Sequence, residues 1–113
     1  MPKENKESIL FRVCPSKIHG VGVFAMESIK TGTFLPLFLG GSTRIFRKAN
    51  IPKRLKWAIK IYSVEDNKEW SCPHNFNHME IGWYLNHSKN PNVAHKNYLY
   101  FAIKNIKKGE EIT

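Results

Sequence analysis

Two short segments carry the residue types best suited to chemistry. The first, Lys17-Ile18-His19-Gly20-Val21-Gly22-Val23-Phe24, places two glycines around a single residue. Glycines so spaced let a ligand approach the backbone closely and meet successive N–H groups. A dinucleotide site would need a third glycine and a following helix. Here the third position is Ala25 and a strand-like run follows, so by itself the pattern reads as a tight turn. The second segment, Gly82 to Asn92, sets Asn86-His87-Ser88 directly after an apolar run. Half-buried Asn and His must find hydrogen-bond partners, so such a run organises either a loop or a ligand.

Two further groupings carry weaker signals. Cys72-Pro73-His74 with His78 offers zinc-type ligands at close spacing. A structural zinc site takes four ligands, and nothing in the sequence brings Cys14 near to supply the fourth. An exposed polar loop is the plainer reading. Either cysteine could meet a histidine for nucleophilic catalysis, but neither sits in a family-type signature. Two cysteines cannot build the disulfide framework of a small secreted domain, and they read as free thiols in a reducing compartment.

The elements that must position these residues are mostly short strands between turns. Ile9 to Cys14 and Val21 to Ala25 read as strands, with Pro15-Ser16 as the break, and Phe34 to Leu39 reads as a third. Pro52 to Tyr62 carries Leu55, Ile59 and Tyr62 at helix spacing behind a first-turn proline. Glu65 to Lys68 is a turn. Asn92 to Lys104 alternates, with Leu99, Phe101 and Ile103 on one face and Tyr98, Tyr100 and Ala102 on the other. A hairpin turn is expected at His95-Lys96-Asn97. Phe24 to Gly32 and Phe101 to Gly109 share the pattern F-A-x-x-x-I-K-x-G. Each copy reads as a strand end, a bend with Ile beneath it, and a Gly free to take positive φ. The repeat predicts a mainly β fold with approximate two-fold symmetry.

Composition sets the frame. The 113 residues suffice for one domain with a modest core, and 42% hydrophobic with 24% charged residues is ordinary for a folded chain. No apolar run is long enough to cross a bilayer, and Met1 to Ser8 form a polar tail that is not followed by the apolar h-region of a secretory signal. An intracellular location, cytoplasm or nucleus, is expected, with no membrane partner. The net charge of +9 makes nucleic acid a candidate partner. The plainer reading is a solvated basic face, because Lys53-Arg54-Lys56-Lys60 and Lys104-Lys107-Lys108 lie in separate stretches without interleaved aromatics.

Taken together, the segments resemble the SET domain of lysine methyltransferases. The G-x-G signature followed by an aromatic matches Gly20 to Phe24, and the I-x-x-G turn matches Ile29 to Gly32. N-H-S-x-x-P-N matches Asn86 to Asn92 at every fixed position, and I-x-x-G-E-E-I-T matches Ile106 to Thr113. The resemblance covers residues 9–113 as one domain, with a variable, less regular insert at about 40–80, and is nearest the small stand-alone viral and bacterial members. It implies β-clip-like small sheets, a knot-like carboxy-terminal crossing and one short helical insert.

The resemblance further implies S-adenosyl-L-methionine as cofactor and a protein lysine, on a histone tail or other basic peptide, as substrate. Backbone around His19, Gly20, Val21, Gly22 and Val23 would hold the methionine portion, and Asn86 and His87 the amino-acid portion and adenine. Methyl transfer from a sulfonium is an in-line displacement that depends on alignment. A lysine ammonium, with a pKa of about 10.4, must first lose a proton, which desolvation and the sulfonium charge both favour. Tyrosines can shape such a channel. Of Tyr62, Tyr84, Tyr98 and Tyr100, Tyr84 is taken as the catalytic candidate because it abuts Asn86. The family's usual closing tyrosine falls a few residues past Thr113, so a catalytically inactive module that binds protein or nucleic acid is the alternative. Lys89 stands where many relatives have a zinc-binding cysteine, so no metal is expected. The small size makes a second copy a candidate partner for completing the cleft.

Overall fold

In the computed structural model, which describes residues 9–38, 43–96 and 99–113, the two F-A-x-x-x-I-K-x-G units pack against each other. The first unit runs out of strand β2 (Val21–Ala25) and leads to β3 (Phe34–Leu35), while the second links β8 (Leu99–Ala102) to β9 (Glu111–Ile112). Ile29 and Ile106 exchange backbone hydrogen bonds of 2.8 Å in each direction. Gly32 N–H donates to Ala102 at 2.7 Å, and Gly109 N–H donates to Ala25 at 2.8 Å. The pairs Phe24–Glu111 and Val23–Ile112 are repeated as Phe101–Phe34 and Tyr100–Leu35. Exchanging the units thus maps each bond onto another, which is the two-fold relation expected from the repeat. Gly32 and Gly109 hold φ of +89° and +87°, a region that costs any residue with a Cβ.

The core grows from the same symmetry. Ala25 and Ala102, Ile29 and Ile106, and Leu35 and Ile112 are equivalent pairs, and all six are buried together with Val23, Leu37 and Val93. β2 is the central strand of one antiparallel sheet, between β1 (Phe11–Pro15) and β9. β8 is central in a second sheet, between β3 and β7 (Val93–Lys96). On β8, Ala102 faces the core while Leu99 is exposed, so the expected alternation holds with the Tyr100–Ala102 face inward. The hairpin turn expected at His95-Lys96-Asn97 falls later, because His95 and Lys96 pair with Tyr100 and Leu99 as the end of β7; residues 97 and 98, and with them the place of Tyr98, lie outside the described residues.

Two expectations need correction. The third strand stops at Leu35, because Pro36 has no N–H and Leu37 N–H turns back to Leu35 O at 2.8 Å. Leu37 is thereby buried, and Leu39 lies outside the described residues. The insert is also more regular than expected. It contains a three-stranded antiparallel sheet in the order β4 (Thr43–Arg47), β6 (Glu69–Pro73), β5 (Val64–Glu65). A helix, α1 (Lys56–Tyr62), follows a short 3-10 turn at Lys53–Leu55 and buries Ala58 and Ile59. Between β5 and β6, Asp66 Oδ1 accepts from the N–H groups of Lys68 at 3.0 Å and Glu69 at 2.9 Å, fixing the expected turn.

The carboxy-terminal segment is fastened by one buried side chain. Asn92 Nδ2 donates to Glu111 O at 2.8 Å, and Thr113 N–H donates to Asn92 Oδ1 at 2.9 Å. This bonding carries the end of the asparagine-rich loop across to β9 and sets up the site.

Candidate functional site

The site forms where the loop before β2 meets the chain that leaves a 3-10 turn at Ile81–Tyr84. Ser16 N–H donates to Gly20 O at 2.8 Å and Ile18 N–H to Ser16 Oγ at 2.9 Å, which closes the Lys17–Gly20 loop. Gly20 has φ of +48°, so this turn does require a glycine. Asn86 then reaches over it. Its Nδ2 lies 3.0 Å from His19 O and 2.9 Å from Val21 O, tying the loop to the N-H-S segment.

The same nitrogen lies 3.0 Å from Glu111 Oε2. Ser16 Oγ donates to that carboxylate as well, at 2.8 and 2.9 Å from its two oxygens. Glu111 therefore gathers β1's flanking loop, the N-H-S segment and β9 at one point. Gly22 makes room for it: a Cβ there would collide with the Glu111 carboxylate and come within 3.1 Å of Asn86 Nδ2. The reason for this glycine is close approach of the chain's own polar side chains, rather than of a ligand.

A cleft of about 170 Å³ opens beside this clamp. It is lined by His19, Gly20 and Val21 on one side and Trp83, Tyr84, Leu85 and Asn86 on another, with Ile61 and Tyr62 from α1 closing it. Tyr62 and Tyr84 meet edge to face with centroids 5.6 Å apart. Asn86 spends its donor on the clamp, and among the described residues no donor reaches its Oδ1. The cleft wall is thus rich in acceptors and aromatic rings, a surface suited to a cationic, partly apolar ligand.

Of the residues singled out in the sequence, His19, Gly20, Val21, Tyr84 and Asn86 come together in this cleft. Gly22 lies behind it, Val23 is wholly buried in the core, and His87 is exposed and not part of the lining. Tyr100 packs against Phe38 and His95 instead, with centroids 5.6 and 4.9 Å away. Sequence reasoning missed Glu111, Ser16 and Trp83. The closing G-E-E-I-T pattern contained Glu111 without revealing what it holds. A larger, more open hollow of about 490 Å³ is lined by Arg47, Asp66, Asn67, Lys68 and Glu69. It lies on the surface around the Asp66–Glu69 turn and holds none of the site residues singled out in the sequence.

Cys72 is buried with its Sγ 3.7 Å from Trp70 O, whereas His74 and His78 are exposed. Among the described residues no group of three Cys, His, Asp or Glu side chains converges to hold a metal. No described helix is long and apolar enough to cross a membrane.

Comparison with known proteins agrees with this architecture. No curated protein matches the chain. Among solved structures, a Plasmodium falciparum protein provisionally assigned as a histone methyltransferase aligns over 95% of this chain and 91% of its own, with 24% identity and a TM-score of 0.57. A humanized mutant of Chaetomium thermophilum Polycomb Repressive Complex 2, bound to an inhibitor, aligns over 94% of this chain at 20% identity and a TM-score of 0.60. An apo form of ctPRC2 gives 94%, 22% and 0.65. The chain spans only 14% and 15% of those two longer chains. At these identities the likeness is one of fold. The family model for the SET domain matches residues 20–113, most of the sequence, and the protein belongs to the SET-domain family.

Proposed function

We propose that this chain binds S-adenosyl-L-methionine in the cleft between His19–Val21 and Asn86 and transfers its methyl group to a protein lysine side chain. The observation that carries the reading is the Asn86 clamp, which joins the family's two signature segments beside an aromatic, acceptor-lined cleft. When bound, the cofactor supplies a methyl group activated on a positively charged sulfur. The donor set fits it: Asn86 Oδ1 and the second lone pairs of the His19 and Val21 carbonyls can accept from an ammonium. Trp83 and Leu85 provide apolar surface for the rest.

Tyr84, with Tyr62 against its edge, is proposed as the catalytic wall for the incoming amine. Aromatic faces and phenol oxygens attract the amine, align it, and exclude water around it. Exclusion of water disfavours the ammonium form, so the lysine gives its proton to solvent and presents a lone pair. A chain of net charge +9 gains no long-range steering toward a basic tail, so substrate choice falls to contacts at the cleft mouth.

Transfer of a labelled methyl group from S-adenosyl-L-methionine to a panel of histones and whole-cell proteins tests the proposal. Label on protein lysine is the expected result. Intact cofactor binding with no labelled protein would instead favour an inactive binding module.

A further inference from the structure

Helix α1 buries one face and leaves the other to solvent in an unusual composition. Ala58 and Ile59 point inward, while Lys53, Arg54, Lys56, Trp57, Lys60 and Ile61 are exposed. Trp57 is 65% exposed, the most of any large hydrophobic side chain among the described residues. Lys60 stands three positions after it on the helix, and Lys53 and Arg54 lie in the 3-10 turn that leads into the helix, so basic residues lie on both sides of it along the chain. No Asp or Glu occurs anywhere from Ser28 to Val64. Among the described residues the one ion pair is Lys48–Glu65, at 2.6 Å, and none of the four cations around Trp57 takes part in one.

We infer that this face binds single-stranded nucleic acid, with Trp57 stacking on a base while Lys53, Arg54, Lys56 and Lys60 meet the phosphates. An indole left in water beside unpaired cations is the combination that single strands reward, because every base offers a π-face and every step a charge. Charge complementarity selects this occupant over a basic peptide, which the face repels. An anionic membrane fits less well. The apolar positions that a surface-bound helix would insert are already used, since Ala58 and Ile59 pack into the fold and only Trp57 and Ile61 remain. The same helix contributes Ile61 and Tyr62 to the cleft, so a bound strand would lie next to the methyl-transfer site.

The test is fluorescence anisotropy with a labelled single strand of 20 nucleotides, its duplex, and anionic phosphatidylserine vesicles as competitor. The chain should bind the single strand with a dissociation constant of roughly 10 μM near physiological salt. Charge reversal by Lys56→Glu with Lys60→Glu should weaken binding at least tenfold and cut the salt dependence roughly by half. Trp57→Ala should weaken it at least fivefold, with recovery in Trp57→Phe. The pair Lys104→Glu with Lys108→Glu makes the same change in net charge elsewhere and should stay within twofold of the parent. Circular dichroism and cofactor titration on each variant check folding. Equal weakening by both charge-reversal pairs would overturn the inference, as would a preference for duplex or vesicles, or indifference to Trp57.

Discussion

Asn86 and Glu111, which come from the loop after the 3-10 turn and from the last strand, meet at 3.0 Å across space that only a glycine at position 22 leaves open. The two signature segments of the chain are thus held together by hydrogen bonds between their own polar side chains before any ligand arrives. Preorganised acceptors cost no rearrangement when a ligand binds.

Gly22→Ala should expose this dependence. Its methyl group would displace the Glu111 carboxylate from its bonds to Ser16 and Asn86. Overpacking of this kind costs about 1–3 kcal/mol, so the denaturation midpoint should fall measurably. Glu111→Gln tests the charge alone, because the amide keeps the shape and weakens the bonds to Ser16 and Asn86. A smaller loss is expected there, and unchanged stability in both variants would mean the clamp contributes nothing.

The two-fold core predicts matched consequences at matched positions. Ile29→Ala and Ile106→Ala each remove a buried side chain at equivalent sites, and each should cost about 2–5 kcal/mol. Because the residues are bridged, the double variant should differ from the sum of the two losses. Urea denaturation of the three variants measures this, and strongly unequal single losses would contradict the symmetry.

Much of this symmetry was legible in the sequence, because F-A-x-x-x-I-K-x-G encodes a local unit whose glycine and isoleucine have one way to satisfy their backbone and burial. The insert sheet was less legible. In Thr43-Arg44-Ile45-Phe46-Arg47 the exposed Ile45 and the half-buried Arg44, which lies 5.0 Å above the Phe46 ring, blur the alternation that marks a strand. The residues lining the cleft divide the same way. His19 to Val21 and Asn86 stood in motifs, with Trp83 beside Asn86 in the same segment, whereas Ile61 and Tyr62 reach the site only through the packing of α1, which is distant in sequence. Glu111 was visible as a letter of a pattern, but its bonds to Ser16 and Asn86 span 95 and 25 residues and belong to tertiary structure.

Asp66 gives a pH signature. Hydrogen bonds from the backbone N–H groups of Glu69 and Lys68 hold its carboxyl below the ordinary value of 3.8. A group with a depressed folded pKa contributes stability that is present above its unfolded pKa and lost as pH falls through the folded one. The stability advantage of the parent over Asp66→Asn should therefore be present at neutral pH and shrink as pH drops below 3.8. Urea midpoints for both proteins between pH 7 and pH 2 check the sign, and an advantage that grows in acid would refute the assignment.

Tyr84→Phe separates binding from chemistry. The ring stays, and with it the edge-to-face contact with Tyr62, but the phenol oxygen is lost. Methyl transfer at saturating cofactor should drop by about tenfold or more, roughly 1.4 kcal/mol in the barrier, with cofactor affinity nearly unchanged. Steady-state rates against cofactor concentration read both quantities, and an unaltered rate would move the catalytic role to another residue, with Tyr62 the next to test.

The central claim, that the Asn86 clamp forms the cofactor site, is tested most directly by calorimetric titration with S-adenosylhomocysteine. The parent chain should bind one equivalent, and Asn86→Ala should weaken that binding at least tenfold, about 1.4 kcal/mol, while circular dichroism shows the fold retained. Equal affinity in the folded variant, or no binding by the parent, would contradict the account.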